Sequence, residues 1–211
     1  MSISIIEHES AWDDTQRTYS VTLYDDEIFT TVTDSGEDVE QWIADIRYIH
    51  RRRLRRLIVG LDVEWRPSNR NYENPVALLQ LCVGRRCLIF QLIHADYIPQ
   101  ALSDFLTDPN FTFVGVGIEP DVQKLLEDYH LLVPRTVDLR SLAANRTGRA
   151  ELARAGLKTL AMDVLGLDVQ KPKRVTMSRW DYQWLKLEQI QYACVDAFLS
   201  FEIGRVLNAS S

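Results

Sequence analysis

Apolar and polar side chains alternate with the two-residue period of a β-strand in several short stretches of the chain. The stretches that predict strands are residues 18–23, 28–32, 58–65, 76–83, 87–92 and 111–117. Polar residues 24–27 separate the first two stretches, which predicts a β-hairpin. A glycine turn at 84–86 joins two later runs, so the three runs between 58 and 92 predict an antiparallel meander.

Other segments repeat apolar residues with the 3.6-residue period of an α-helix. Ser35, followed by Glu37 and Asp38, is a typical helix start, and this helix is expected to end near Arg52. Another helix is expected to carry Asp121 in its first turn and to end near residue 129. Further predicted helices are residues 99–106, 137–145, 157–165 and 187–207. Together these elements predict an α/β fold in which helices flank a mixed sheet.

The remaining segments and the composition fit a single domain. Residues 66–74 and 168–178 are rich in charged residues and contain proline, so both predict exposed loops. The 211 residues have a mass of 24.4 kDa and are 46% hydrophobic, which suffices for one core. We expect one domain over residues 1–211, in which the hairpin and first helix (about 15–53) precede a core at about 55–208.

Cysteine usage and the amino end bear on location. Segment 1–14 is acidic and lacks the features of a secretory signal, and no apolar run is long enough to cross a bilayer. Cys82, Cys87 and Cys194 form no CxxC pair, which indicates buried free thiols in a reducing compartment rather than disulfides or zinc ligands. We therefore expect an intracellular protein, and we favour the cytoplasm over the nucleus.

Two carboxylates interrupt the apolar strand 58–65 near its end. Asp62 and Glu64 are two residues apart, so they project on the same face of the strand. Neighbouring carboxylates repel each other and resist desolvation, and a shared cation relieves both effects. A divalent metal site is the leading interpretation. The alternative is that Asp62 caps a turn and Glu64 is solvated at the strand end.

Two further acids occupy helices. Asp121 is expected in the first turn of its helix, where a carboxylate also serves as a partner of the helix dipole. Asp196 follows Tyr192 by one turn on the last helix, beside the small residues Ala193 and Ala197, which suit close packing on a sheet. An acid on the buried side of such a helix needs a partner.

The order of these acids resembles a known family. Segments 61–64 (LDVE), 113–121 (FVGVGIEPD) and 192–196 (YACVD) are similar to the three motifs of the DEDD 3′-to-5′ exonucleases, in the subgroup with a tyrosine in the last motif. The resemblance covers about residues 57–207. Within the family the chain is most similar to Werner-type exonuclease domains and to the small plant RISC-interacting clearing exoribonucleases. Pro120 departs from the small residue that relatives often carry there.

The resemblance implies a ribonuclease H-like fold and a site that binds two Mg²⁺ or Mn²⁺ ions through oxygen ligands. Asp62, Glu64 and Asp196 would bind the first ion. Asp62 would bridge to the second ion, which Asp121 would support. Tyr192 would orient or deprotonate the attacking water, and an ordinary tyrosine pKa of about 10 favours orientation.

The acidic net charge bears on the expected substrate. A net charge of −6 argues against a polyanionic partner, because cations drive phosphate binding. Adding the four positive charges of two divalent ions to −6 gives −2, which weakens that objection.

Several side chains outside the motifs are candidates for nucleic-acid contacts. Basic residues before the last motif could hold phosphates or form a solvated loop, and nearby tryptophans could stack on bases or pack in the core. The candidates are Trp65, Lys171, Lys173, Arg174 and Arg179, with Trp180 and Trp184 as further tryptophans. The basic run 51–56 could likewise hold a nucleic-acid backbone, or could complement the end of the first helix.

The resemblance implies a metal-dependent 3′-to-5′ exoribonuclease that degrades single-stranded or short RNA to nucleoside 5′-monophosphates, with a role in the clearance of small RNAs. One alternative is a Werner-type exodeoxyribonuclease, because the motifs expose no contact to the 2′-OH. A second alternative is a catalytically silent scaffold that binds nucleic acid. The resemblance also implies a homo-oligomer, specifically a hexamer, and an Argonaute (RISC) partner, whereas no membrane partner is expected.

Overall fold

The computed structural model describes residues 3–8, 16–67 and 73–210, and these residues build a mixed β-sheet flanked by helices. The strands of the described residues are β1 (Ile3–His8), β2 (Gln16–Leu23), β3 (Asp26–Thr33), β4 (Leu57–Glu64), β5 (Leu78–Val83), β6 (Arg86–Phe90), β7 (Phe111–Gly115) and β8 (Thr136–Asp138). The predicted α/β fold class is therefore confirmed.

The strands follow the order β1-β2-β3-β6-β5-β4-β7-β8 across the sheet. β2 and β3 form the predicted hairpin, and β4, β5 and β6 form the predicted antiparallel meander. The contacts β3–β6, β4–β7 and β7–β8 are parallel. Strand β4, which carries Asp62 and Glu64, consequently lies inside the sheet between β5 and β7.

The helices of the described residues are α1 (Gly36–Ile49), α2 (Gln100–Leu106), α3 (Ile118–Tyr129), α4 (Leu139–Thr147), α5 (Leu157–Leu160), α6 (Lys173–Thr176) and α7 (Leu187–Val206). A π-helical segment, Ala161–Leu165, continues α5, and short 3₁₀ turns occur at Leu54–Arg56, Leu92–His94 and Ala150–Arg154. None of the helices in these ranges is long and apolar enough to cross a lipid bilayer.

Helix α7 packs directly on the sheet at Gly60 of β4. A Cβ atom at Gly60 would overlap the carbonyl oxygen of Ala197 and lie 2.7 Å from the backbone nitrogen of Phe201. The face that Gly60 shares with Asp62 and Glu64 is thus covered by α7, because strand side chains alternate. On the opposite face, Phe105 of α2 contacts Phe113 of β7, with ring centroids 5.9 Å apart.

The structure differs from the predictions at several boundaries. Strand β1 was not predicted, because most of its residues are exposed and its apolar alternation is weak. The helix predicted at 137–145 begins only at Leu139, since residues 136–138 pair with β7 at the sheet and Asp138 caps the helix. The predicted loop 168–178 contains the short helix α6. Part of the predicted loop 66–74, residues 68–72, lies outside the described residues.

We predict that Gly60→Ala lowers the free energy of unfolding by about 3 kcal/mol or more, because the added methyl group must separate α7 from β4. Gly156→Ala is the matched control. Nothing lies within 4 Å of a Cβ at Gly156, and its φ of −82° suits alanine. This control should change stability by less than about 1 kcal/mol. Equal midpoints of the two variants in urea unfolding would contradict the predicted packing.

Candidate metal centre

Three carboxylates converge where the end of β4 meets α7. One oxygen each of Asp62, Glu64 and Asp196 lie within 4.8 Å of one another. Asp62 and Glu64 are partly exposed, whereas Asp196 is only 4% exposed. The intervening residue Val63 is buried on the other face of the sheet, as the alternation of strand side chains requires.

The convergence raises the pKa of these acids. Burial raises the pKa of Asp62 well above its usual range, and the charges of Asp196 and Asp121 raise it further. Burial also raises the pKa of Glu64, with Asp62 and Asp196 adding to the rise. Asp196 therefore makes both Asp62 and Glu64 harder to ionise, and a nearby positive charge is needed to hold all three as anions.

Lys171 supplies part of that positive charge. Its Nζ atom lies 2.6 Å from Oδ2 of Asp196 and 5.0 Å from the ring centroid of Tyr192. Burial opposes the protonated form of Lys171, but the charge of Asp196 raises its pKa above the ordinary value. The sequence suggested Lys171 as a phosphate contact, and its pairing with Asp196 was not anticipated.

Asp121 stands beside the three-carboxylate group rather than within it. It lies in the first turn of α3, and Gly117, the residue before this helix, has a left-handed φ of 70°. Pro120 is tolerated in this turn, because a backbone N–H there would have no partner within the helix. Burial raises the pKa of Asp121 to about 7, with Arg140 opposing the rise and Asp138 adding to it. Its charge in turn raises the pKa of Asp62.

Tyr192 lies one helical turn before Asp196, as the sequence predicted, and is 9% exposed. Its hydroxyl accepts a long hydrogen bond of 3.5 Å from the Oγ1 of Thr176. Burial raises the pKa of Tyr192 above the ordinary tyrosine value, and the charge of Asp196 adds to the rise. The phenol therefore stays protonated beside the carboxylates.

The basic candidates before the last helix have different surroundings. Arg174 pairs with Glu188 at 2.7 Å and lines a cleft of about 200 Å³ that borders Tyr192. Arg179 pairs with Asp181 at 3.0 Å. Lys173 is exposed, and no carboxylate of the described residues lies within 4.0 Å of its ammonium group.

The tryptophans also separate into different environments. Trp65 is partly buried and lies under Lys124, with Nζ 5.7 Å from the ring centroid. Trp180 is fully buried and donates a hydrogen bond to the carbonyl of Thr176, so packing rather than base stacking describes it. Trp184 is 64% exposed, with the guanidinium of Arg17 over its ring.

The donor set indicates which metals fit. The group of possible ligands within the described residues contains carboxylates and neither histidine nor cysteine. Oxygen ligands with net negative charge suit Mg²⁺ or Mn²⁺ and not zinc, which favours nitrogen and sulfur. The residues present therefore fit the divalent cations that the sequence predicted.

Comparison with known proteins identifies the family. Residues 30–209 match the family model described as 3′-5′ exonuclease. The chain belongs to the 3′-5′ exonuclease family. A 3′-5′ exonuclease of Arabidopsis thaliana is 36% identical over 152 residues, which are 71% of this chain and 52% of that protein. The bifunctional 3′-5′ exonuclease/ATP-dependent helicase WRN of Mus musculus is 34% identical over 71% of this chain and 11% of its own length.

Solved structures of the exonuclease family share the fold. RNase D of Escherichia coli, an exoribonuclease, superposes with a TM-score of 0.70 at 19% identity over 85% of this chain and 44% of its own. The exonuclease domain of EXD2, from crystals soaked in Mg and GMP, superposes with a TM-score of 0.50 at 29% identity, over 83% of this chain and 87% of that one. The predicted ribonuclease H-like fold is thus confirmed. The chain spans about half the length of the Arabidopsis relative and a smaller part of WRN.

A buried amide beside Asp62 was missed by the sequence analysis. Gln80 lies opposite Asp62 in the β4–β5 ladder and is fully buried. Neither its Nε2 nor its Oε1 has a hydrogen-bond partner among the described residues. The signal was a single polar residue within the apolar run 76–83. An unsatisfied amide of this kind costs stability.

We predict that Gln80→Met raises the free energy of unfolding by about 1–2 kcal/mol, because it removes the unpaired amide at similar volume. Gln91→Met is the matched control, since the buried Gln91 amide bonds to the backbone of Tyr182 and Gln183. This control should be destabilised by about 1–3 kcal/mol. Urea unfolding measures both changes. A loss of stability in Gln80→Met would mean that the amide has a partner.

Proposed function

We propose that this chain is a metal-dependent 3′-to-5′ exoribonuclease that releases nucleoside 5′-monophosphates from the 3′ end of single-stranded or short RNA. The observation that carries the proposal is the approach of Asp62, Glu64 and Asp196 to within 4.8 Å of one another. Membership of the 3′-5′ exonuclease family supports the same chemistry.

The carboxylates would hold the cofactor. Asp62, Glu64 and Asp196 would bind one Mg²⁺ or Mn²⁺ ion, and Asp62 and Asp121 would hold a second. When bound, such a pair of ions supplies positive charge for the attacking and departing oxygens of a phosphodiester. The EXD2 exonuclease domain, 27–29% identical to this chain, was studied in crystals soaked in Mg or Mn, which supports this cofactor.

Tyr192 would orient the attacking water. Because burial raises its pKa, the phenol remains a hydrogen-bond donor and acceptor and is a poor base. Lys171 would balance negative charge around Asp196. Lys173, Arg174 and Arg179 would contact the phosphates of the strand, and Trp65 would contact its bases. The guanidinium groups of Arg174 and Arg179 already pair with carboxylates, so each would have to bind a phosphate and its carboxylate at the same time.

Exodeoxyribonuclease activity is the second candidate. Crystals of the EXD2 exonuclease domain were soaked in GMP and also in dGMP, so both sugar types were studied in one relative. A contact to the 2′-OH would be needed for strict RNA selectivity. We favour RNA because of the resemblance to clearing exoribonucleases. The third interpretation, a silent scaffold, is disfavoured by the complete set of acids.

The assembly and location remain proposals as well. We propose a homo-oligomer, a hexamer by resemblance, that acts with an Argonaute partner in small-RNA clearance. The exposed edge of β1, which pairs on one side only with β2, offers a surface for assembly. Cys82, Cys87 and Cys194 are buried free thiols, which supports a reducing intracellular compartment, with the cytoplasm favoured over the nucleus.

We predict that Asp62→Asn lowers the rate of nucleotide release by about 1,000-fold or more, because it removes a charged ligand at the point where the acids meet. The measurement is degradation of matched 5′-labelled RNA and DNA oligonucleotides with Mg²⁺. A chelator should stop the reaction of the parent chain. Activity that survives chelation would refute the metal mechanism, and equal rates on RNA and DNA would refute the RNA preference.

We predict that Tyr192→Phe lowers kcat by about 100-fold while KM changes little, because only the water-orienting hydroxyl is lost. Tyr97→Phe is the control, since Tyr97 is 46% exposed and its ring lies beside Gly36 of α1. Steady-state kinetics on labelled RNA separates kcat from KM. Equal rates for both variants would remove Tyr192 from the mechanism.

A further inference from the structure

Five arginines form an exposed cluster between α1 and β4. This arginine patch consists of Arg51, Arg52, Arg53, Arg55 and Arg56, and every one of these side chains is exposed. The patch directly precedes Leu57, the first residue of β4. It therefore places five positive charges within six residues of a chain whose net charge is −6.

The arginine patch has no compensating acids. Within residues 3–8, 16–67 and 73–210, no carboxylate lies within 4.0 Å of any of its guanidinium groups. Elsewhere in the same ranges, arginines commonly pair with acids at short distances. Arg85 pairs with Asp26 at 2.6 Å, and Arg140 pairs with Asp138 at 2.8 Å. The patch thus retains its full positive charge.

The end of α1 does not account for this charge. A helix carboxyl end favours cations, but the effect decays within the last turn. Arg47 already occupies the last turn of α1. Arg51 donates a hydrogen bond to the carbonyl of Tyr48, whereas Arg52, Arg53, Arg55 and Arg56 lie beyond Ile49, where the helix ends. The helix end therefore does not explain why Arg55 and Arg56 are positively charged residues.

The surroundings of the patch favour binding of a polyanion that carries aromatic rings. Tyr48 is 69% exposed, and the guanidinium of Arg51 lies 4.6 Å from its ring centroid. A cleft of about 130 Å³ beside the patch is lined by residues that include His50, Arg53 and Arg56. Burial lowers the pKa of His50, and the charges of Arg53 and Arg86 lower it further, as expected in a positive field.

The patch lies at the opposite end of β4 from the metal centre. Asp62 lies five positions after Leu57, which is about 17 Å at the rise of a β-strand. A nucleic-acid strand that keeps the stacked spacing of about 3.4 Å covers this distance with about five nucleotides. A stacked strand longer than that would contact both places.

We propose that the arginine patch is a second nucleic-acid surface, which binds the sugar-phosphate backbone of a single strand on the 5′ side of the end held at the metal centre. Guanidinium groups match phosphate geometry through paired hydrogen bonds, and an exposed tyrosine supplies a stacking surface for bases. The statement about the bound 3′ end rests on the proposed function, whereas binding of the backbone by the patch does not.

The test compares the binding of single-stranded nucleic acid to the parent chain and to a variant with three substitutions, Arg52→Gln, Arg55→Gln and Arg56→Gln. The probes are fluorescein-labelled single strands of about 20 and about four nucleotides, titrated between about 50 and 200 mM salt, with anisotropy as readout. Parent and variant both carry Asp62→Asn, so that no substrate is consumed. Arg154→Gln is the single-charge control and is compared with Arg55→Gln alone, because Arg154 is exposed and has no acid within 4.0 Å among the described residues.

The expected result is a loss of at least about fivefold in affinity for the long strand, with little change for the short one. The slope of log K against log salt should shrink by about 2, since each lost phosphate contact contributes about 0.7. Without Asp62→Asn, the triple variant should raise KM for the long strand and leave kcat unchanged. Arg154→Gln should leave the affinities for both strands unchanged, and thermal melting should show the triple variant folded.

Three results would overturn the proposal. One is unchanged affinity of the triple variant for the long strand. The second is an equal loss in Arg154→Gln and in Arg55→Gln, which would show an effect of net charge alone. The third is displacement of the long strand by polyglutamate at equal charge concentration, which would show that the patch recognises acidic chains in general. A different result would separate the two proposals. If the triple variant loses affinity for the long strand while the chain with Asp62→Asn alone still hydrolyses RNA at the parent rate, the proposed function is refuted and the binding surface is supported.

Discussion

Electrostatic repulsion among Asp62, Glu64 and Asp196 is the constraint on which the rest of the structure depends. Their oxygens approach within 4.8 Å, burial raises the pKa of all three, and neighbouring carboxylates raise the pKa of Asp62 and Glu64 further. The fold opposes this repulsion by packing, because α7 meets β4 without a side chain at Gly60. Lys171 offsets part of the charge through Asp196, but Asp62 and Glu64 have no comparable ion pair among the described residues. An arrangement of this kind favours divalent cations.

The same constraint explains the character of the surrounding elements. Helix α7 is buried over most of its length, and small residues such as Ala193 and Ala197 let it lie close to the sheet. Gln80 remains unpaired opposite Asp62, although an apolar residue would cost less there. Local stability is therefore lower than this core could reach, in the region where acids are held for chemistry.

The sequence predicted those parts of the site that depend on local periodicity. Strand alternation gave Asp62 and Glu64 a common face, and helical spacing gave Tyr192 and Asp196 a common side. The approach of α7 to β4 follows from contacts across more than a hundred residues, and only the resemblance to a family suggested it. Periodicity could not predict the ion pair of Lys171 with Asp196, because this contact depends on the path of the loop that carries Lys171. It also missed β1 and β8, which lie at the sheet edges, where burial patterns are weak.

Calorimetric titration with Mn²⁺ shows whether the convergent acids bind divalent cations. Binding requires no substrate, so the result does not depend on which nucleic acid the chain degrades. We predict saturable binding by the parent chain and at least about tenfold weaker binding after Asp196→Asn. Absence of binding heat in the parent chain, or equal affinity in the variant, would contradict this prediction.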